Sequence, residues 1–136
     1  MDDCIFCKII DGKIPAAKVY EDAKVISFLD IMPANKGHCL VIPKNHTQTL
    51  MEMSEDDLIA VIKAAKKIAK ALSLSFGNGS FNIIMNNGKE AGQLVNHAHM
   101  HIIPRFQKDR LRIKWSHLKY EGNEIQEYAE KIRKFI

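Results

Sequence analysis

Three of the six histidines fall within five residues, His97-Ala98-His99-Met100-His101. In an extended chain, residues i, i+2 and i+4 point to one face. A strand here stands three imidazoles in a row and turns Ala98 and Met100 to the opposite, core-facing side. Two chemistries use such a row. One is a three-histidine metal site. The other is a set of catalytic imidazoles acting on an anion. Imidazole, with an unperturbed pKa of about 6.5, is largely neutral near pH 7 and nucleophilic there.

The residues just before help to choose. Asn86-Asn87-Gly88-Lys89-Glu90-Ala91-Gly92-Gln93 supplies two glycines, side-chain amides and a lysine. Glycines let backbone N–H groups close around a phosphate. The loop is neither a P-loop nor a dinucleotide fingerprint. Joined to the histidine row, it predicts a phosphoryl or nucleotidyl transfer site.

A second constellation is Cys4-Ile5-Phe6-Cys7. A redox pair of this spacing opens a helix after a strand in a βαβ context, and the order of elements here does not supply one. Two thiols at this spacing provide half of a four-ligand structural zinc site; otherwise they are packed, unbonded thiols. The third cysteine, Cys39, lies in the apolar run Cys39-Leu40-Val41-Ile42 and reads as a core thiol. His38 and His117 read as structural or surface histidines.

The elements that must position these groups follow from periodicity. Ile5, Ile9 and Ile10 predict a short helix ending near Gly12. Residues 18–21 and 25–29 predict two strands around a turn, and His38 to Ile42 a third. Ser54 is a helix cap followed by acids suited to the positive end of the helix dipole. Leu58, Val61, Ile62, Ala65, Ile68, Ala69 and Leu72 then recur at helical spacing, and Gly77-Asn78-Gly79 ends the helix. Ser80 to Met85 and His97 to Ile103 predict the last two strands. Ile125, Tyr128, Ala129 and Ile132 predict a C-terminal helix capped by Asn123. The fold class is α+β: a five-stranded antiparallel sheet with one long helix packed on it and short helices at both ends. The chain is read as a single domain, 1–136, with a core of about 4–105 and a C-terminal extension of about 106–136.

Composition agrees with an ordinary globular domain. The chain has 136 residues, 46% hydrophobic and 26% charged, which excludes disordered, collagen-like and disulfide-rich classes. Its apolar runs are too short to span a bilayer. Met1-Asp2-Asp3 carries no basic stretch and no long apolar run follows, so the expected address is the cytoplasm. The net charge of +4 is a mild bias towards anions. Lys108, Arg110, Arg112 and Lys114 contribute to it, but few aromatics lie among them, so no nucleic-acid partner is expected.

The stretch Gly92-Gln93-Leu94-Val95-Asn96-His97-Ala98-His99-Met100-His101-Ile102-Ile103 resembles the His-x-His-x-His motif of the histidine triad (HIT) family, nearest its purine-nucleotide phosphoramidase branch. The resemblance continues through Ile5-Phe6-Cys7-Lys8-Ile9-Ile10, Ile14-Pro15, Phe28-Leu29-Asp30-Ile31, Gly37-His38 and Val41-Ile42-Pro43-Lys44-Asn45-His46. It implies a homodimer with a sheet continuous across the interface. It also implies hydrolysis at the α-phosphate of a purine nucleotide conjugate, such as a nucleoside 5'-phosphoramidate, through a nucleotidyl-histidine intermediate. The motif places the nucleophile at His99 and a phosphate or leaving-group hydrogen bond at His101. Asn86, Gly92 and Gln93 would face the phosphate or leaving group, Asp30 the ribose, and Phe6, Ile9, Phe28 and Ile31 the base. In relatives with both cysteines, the positions of Cys4, Cys7, His46 and His97 converge on a structural zinc. Leu94 departs from the small hydroxyl residue that many relatives carry there, which bears on the amine preference. Rival readings are a dinucleoside polyphosphate hydrolase, to which the basic residues after Pro104 are suited, and a nucleotide-binding scaffold with little turnover.

Overall fold

The computed structural model describes residues 3–136. Met1 and Asp2, part of the opening stretch read above for a leader, lie outside the described residues. The elements are α1 (Ile5–Ile10), β1 (Lys18–Glu21), β2 (Val25–Leu29), β3 (Cys39–Pro43), α2 (Glu55–Phe76), β4 (Phe81–Ile84), β5 (Met100–Pro104) and α3 (Glu124–Arg133). The strands form one antiparallel sheet in the order β1-β2-β3-β5-β4. The α+β architecture therefore matches the expectation. No helix among the described residues is long and apolar enough to cross a membrane.

Helix α2 begins and ends on local signals. The Ser54 side chain accepts the Asp57 N–H, and Gly77 adopts the left-handed conformation at φ 63° that closes the helix. Its last residue is Phe76, so it ends at the glycine break expected of it. Its apolar face, Val61, Ala64, Ala65, Ile68 and Ala69, buries against Val25, Cys39, Val41, Met100 and Ile102 on one side of the sheet. The other side carries Ile26, Phe28, Leu40 and Ile42, covered by Phe6 and Ile9 of α1. A helix of six residues has no independent stability; burial of these two side chains holds it in place.

The triad segment differs from the expected strand in where it starts. Ladder pairing begins at Met100, so His97 and His99 precede it. The ladder with β3 stops at the Val41–Met100 pair, although β3 itself runs on to Pro43. The backbone before Met100 is instead tied by the Ala98 N–H to the Thr47 carbonyl at 2.7 Å. The alternation survives: Met100 and Ile102 turn to the α2 side, and His101 lies opposite Leu40, a residue of the α1 side. Strand β3 likewise starts at Cys39 rather than His38, and β4 is shorter than expected at both ends.

Helix α3 forms where the periodicity places it, but none of its residues is buried. The expected Asn123 side-chain cap is not made. Upstream of the helix, the Glu121 N–H donates to the Glu124 carboxylate at 2.8 Å.

Candidate functional site

Two histidine clusters meet on the α1 side of the sheet. The first joins both ends of the sequence. Cys4 Sγ lies 3.5 Å from His97 Nδ1, and Cys7 Sγ lies 3.6 Å from it. Cys7 Sγ is 3.3 Å from His46 Nδ1, and the two Nδ1 atoms are 3.2 Å apart. A tetrahedral ion bonded at about 2.3 Å to sulfur and about 2.0–2.1 Å to nitrogen separates an S/N pair by about 3.5 Å and an N/N pair by about 3.3 Å. These four separations match those spacings, and all four atoms lie within 4.8 Å of one another, so the set fits a closed Cys₂His₂ metal site. The His97 tautomer suits ligation. Its Nε2–H donates to the Pro43 carbonyl at 2.8 Å, so the lone pair sits on Nδ1. Burial also pushes the His97 pKa down, which keeps the ring neutral. The Cys7 thiol is pushed up, first by burial and then by Cys4. Ligation must therefore expel its proton, and metal affinity falls as pH falls.

The second cluster holds the remaining triad members. His99 is 5% exposed, and its Nδ1–H donates to the His97 carbonyl at 2.6 Å. The nitrogen left with a lone pair is Nε2. Phe6 meets the His99 ring edge-on at 5.2 Å and the Phe28 ring at 5.7 Å. His101 Nδ1 lies 2.9 Å from His38 Nε2. The Ala34 N–H donates to His38 Nδ1 at 3.1 Å, so in neutral His38 the proton is on Nε2 and points at His101. His101 Nδ1 then accepts, and its own proton is on Nε2. One backbone N–H thus sets two successive tautomers and makes His101 a neutral donor. Burial, then the neighbouring His99 and His38, pull the His101 pKa down to about 4. Burial lowers that of His38 as well, against the opposing charge of Asp30.

Asp30, His38 and His101 also lie close enough to suggest a metal set, but the tautomers oppose it. A metal on His38 Nε2 would force the proton onto Nδ1, against the Ala34 N–H. The His38–His101 separation is that of a hydrogen bond.

His38, read from the sequence as a structural or surface residue, is buried and hydrogen-bonded to His101, a contact that sequence reasoning missed. It stands two residues before Leu40, which pairs with His101. Even spacing alone puts it on the histidine side once that register is known.

The structure brings together Phe6, Ile9, Phe28, Asp30, His99 and His101, and separately the four sulfur and nitrogen atoms that could hold a metal. Phe6, Ile9 and Phe28 are core residues here, whereas Ile31 is 90% exposed and packs against nothing in that cluster. Asp30 Oδ1 accepts the Met32 N–H at 2.8 Å, and Oδ2 lies 3.7 Å from His38 Nε2. The loop before the triad differs from the expected open cradle. The N–H groups of Ala91 and Gln93 bond the Gly88 carbonyl, and that of Gly92 bonds the Lys89 carbonyl. Gly92, at φ 87°, contributes a turn rather than a donor. The Gln93 amide accepts from the Gly88 N–H and donates to the Gln48 and Val95 carbonyls. Both of its N–H groups are therefore engaged within the chain, and it shapes the loop. Asn86 lies beside Gly92, its amide nitrogen 3.9 Å from where a Cβ would stand.

Comparison with known proteins agrees with this geometry. The HIT domain family model matches residues 11–108. The adenosine 5'-monophosphoramidase of Schizosaccharomyces pombe is 40% identical over 130 residues, 95% of each chain. A HIT family protein from Bacillus subtilis superposes with a TM-score of 0.92 at 44% identity, covering 98% of this chain and 97% of that one. A zinc-bound histidine triad family protein from Mycobacterium smegmatis superposes with a TM-score of 0.78 at 33% identity, covering 98% and 96%. With the family model spanning most of the sequence and these relatives matching nearly end to end, the chain belongs to the HIT domain family.

Proposed function

We propose that this protein is a hydrolase of purine nucleotide conjugates, cleaving at the α-phosphate through a nucleotidyl intermediate on His99. One observation carries the reading. His99 gives its Nδ1–H to a backbone carbonyl, which aims a neutral lone pair at Nε2 beside a second imidazole held as a donor. A binding-only site needs no such nucleophile. Further support comes from the phosphoramidase activity named for the fission yeast relative.

His99 Nε2 attacks the α-phosphorus and the bond to the leaving group breaks. Water then attacks the phosphorus, releasing the nucleoside monophosphate and restoring the imidazole. His101 Nε2–H donates to a phosphate oxygen or to the leaving group as charge develops there. Asp30 accepts from the ribose hydroxyls, and Phe6, Ile9, Phe28 and Ile31 wall the base. Asn86 faces the phosphate, on a loop whose shape Gly92 and Gln93 maintain.

Cys4, Cys7, His46 and His97 would hold zinc with no open coordination position, which supplies structural clamping and no Lewis-acid chemistry. The protein is further read as a homodimer with the sheet continued across the interface. The free edge of β4 and the exposed Phe81 and Ile83 on it support that reading.

The experiment is turnover of adenosine 5'-phosphoramidate and of a dinucleoside polyphosphate on one preparation, with intact-mass detection of a nucleotidyl adduct. Phosphoramidate turnover through an adduct on His99 is the expected result. Adduct-free protein that binds nucleotide without turning over either compound would refute it.

A further inference from the structure

His97 faces two neighbours at once. Its ring Nδ1 is turned to Cys4, Cys7 and His46, while its backbone carbonyl accepts the His99 Nδ1–H. The residue is 0% exposed, and its remaining ring nitrogen is pinned to the Pro43 carbonyl. The next amide is pinned to Thr47. Side chain and carbonyl therefore have little freedom to move separately. A second path runs through α1. Cys4 and Cys7 flank Phe6, and the Phe6 ring packs edge-on against both His97, at 5.9 Å, and His99, at 5.2 Å. The helix that carries Phe6 has no side-chain cap, so the two thiols are the polar anchors of that end.

We infer that the four-ligand cluster positions the nucleophile. With the cluster drawn together around a metal, His97 and Phe6 hold the His99 ring in its attacking orientation; with the cluster open, the ring loses both supports. His97 and Phe6 are positioning residues, since neither reaches the phosphorus. The inference rests on the reading of His99 as nucleophile, and it extends the cluster's role beyond stability.

The test compares zinc-loaded protein, chelator-stripped protein and the stripped protein reloaded with zinc. Two readouts are followed. One is the rate of the first nucleotidylation at saturating adenosine 5'-phosphoramidate. The other is the exchange-protected Nδ1–H proton signal of His99 by NMR, which does not depend on turnover. Stripping is expected to slow nucleotidylation about ten- to a hundredfold, the usual range for losing an orienting partner, and to abolish the proton signal. Both should return with zinc, and Cys4→Ser should behave as stripped protein. A stripped protein that melts at lower temperature yet keeps the signal and the rate would overturn the inference and leave the cluster purely structural. If zinc-loaded protein forms no adduct, the functional reading fails, while the proton signal still decides the coupling. If stripping unfolds the chain, cadmium-loaded protein decides. The larger ion should shift the His99 signal and slow nucleotidylation at least about threefold, and no change in either would overturn the coupling.

Discussion

Two substitutions at His38 separate its roles. The imidazole accepts from Ala34 at Nδ1 and donates to His101 at Nε2. Asparagine places an acceptor near the Nδ1 position but has no donor to reach His101. Glutamine places a donor near Nε2 and leaves the Ala34 N–H without its acceptor. In His38→Asn, His101 Nδ1 loses its partner in a largely buried position, and the proton is no longer fixed on Nε2. An unmet hydrogen bond of this kind costs about 1–3 kcal/mol. Felt wholly in the transition state, that is roughly a 5- to 150-fold loss in kcat. KM should change little, because the base pocket is not altered and Asp30, which loses only a 3.7 Å contact to His38, keeps its hydrogen bond from the Met32 N–H. In His38→Gln the donor to His101 is kept, so kcat should stay within about fivefold of wild type. Ala34 is exposed, so its N–H can turn to water. The stability cost is then about 1 kcal/mol, a few degrees in Tm. The assay is steady-state hydrolysis of adenosine 5'-phosphoramidate beside thermal melts of each variant. Full activity in His38→Asn, or equal inactivity in both variants, would refute the tautomer chain.

Replacing His99 with Gly should lower turnover more than about 10³-fold and abolish the adduct, while AMP binding by calorimetry stays within about tenfold; near-normal turnover would remove His99 from the role. His101, with its pKa pulled down to about 4, should show no imidazole titration by NMR between pH 5 and 8. The unfolded chain takes up that proton near the ordinary value of about 6.5 while the folded chain does not. This histidine therefore adds stability above about pH 6.5 that is lost as pH falls towards 4, and denaturant midpoints should decline across that window. Metal analysis of protein purified without chelator should find one zinc per chain; none would remove the cofactor assignment. Sedimentation at micromolar concentration should give twice the chain mass, and a monomer would argue against the sheet-edge dimer.

Much of this was readable locally. Even spacing within His97–His101 declared a one-sided row, and Ala98 and Met100 declared where the core lay. The caps of α2 were legible because Ser54 and Gly77 act within a single turn. The Cys-x-x-Cys spacing announced half of a ligand set. Such features are set by neighbours a few residues apart, where backbone periodicity and capping chemistry suffice.

The remainder depended on what the fold brings together. His97 and His99 enter different surroundings although they lie two residues apart, because one ring meets Cys4, Cys7 and His46 while the other meets Phe6. Gln93 turns inward because the Gln48 carbonyl, forty-five positions away in sequence, is waiting for it. His38 joins His101 across sixty-three positions only because Leu40 pairs with His101 in the sheet. A one-residue slip of that register would send His38 to the opposite face. Residue type and spacing named the chemistry, but the tertiary contacts decided which imidazole faces the two thiols, which faces Phe6 and which meets His38.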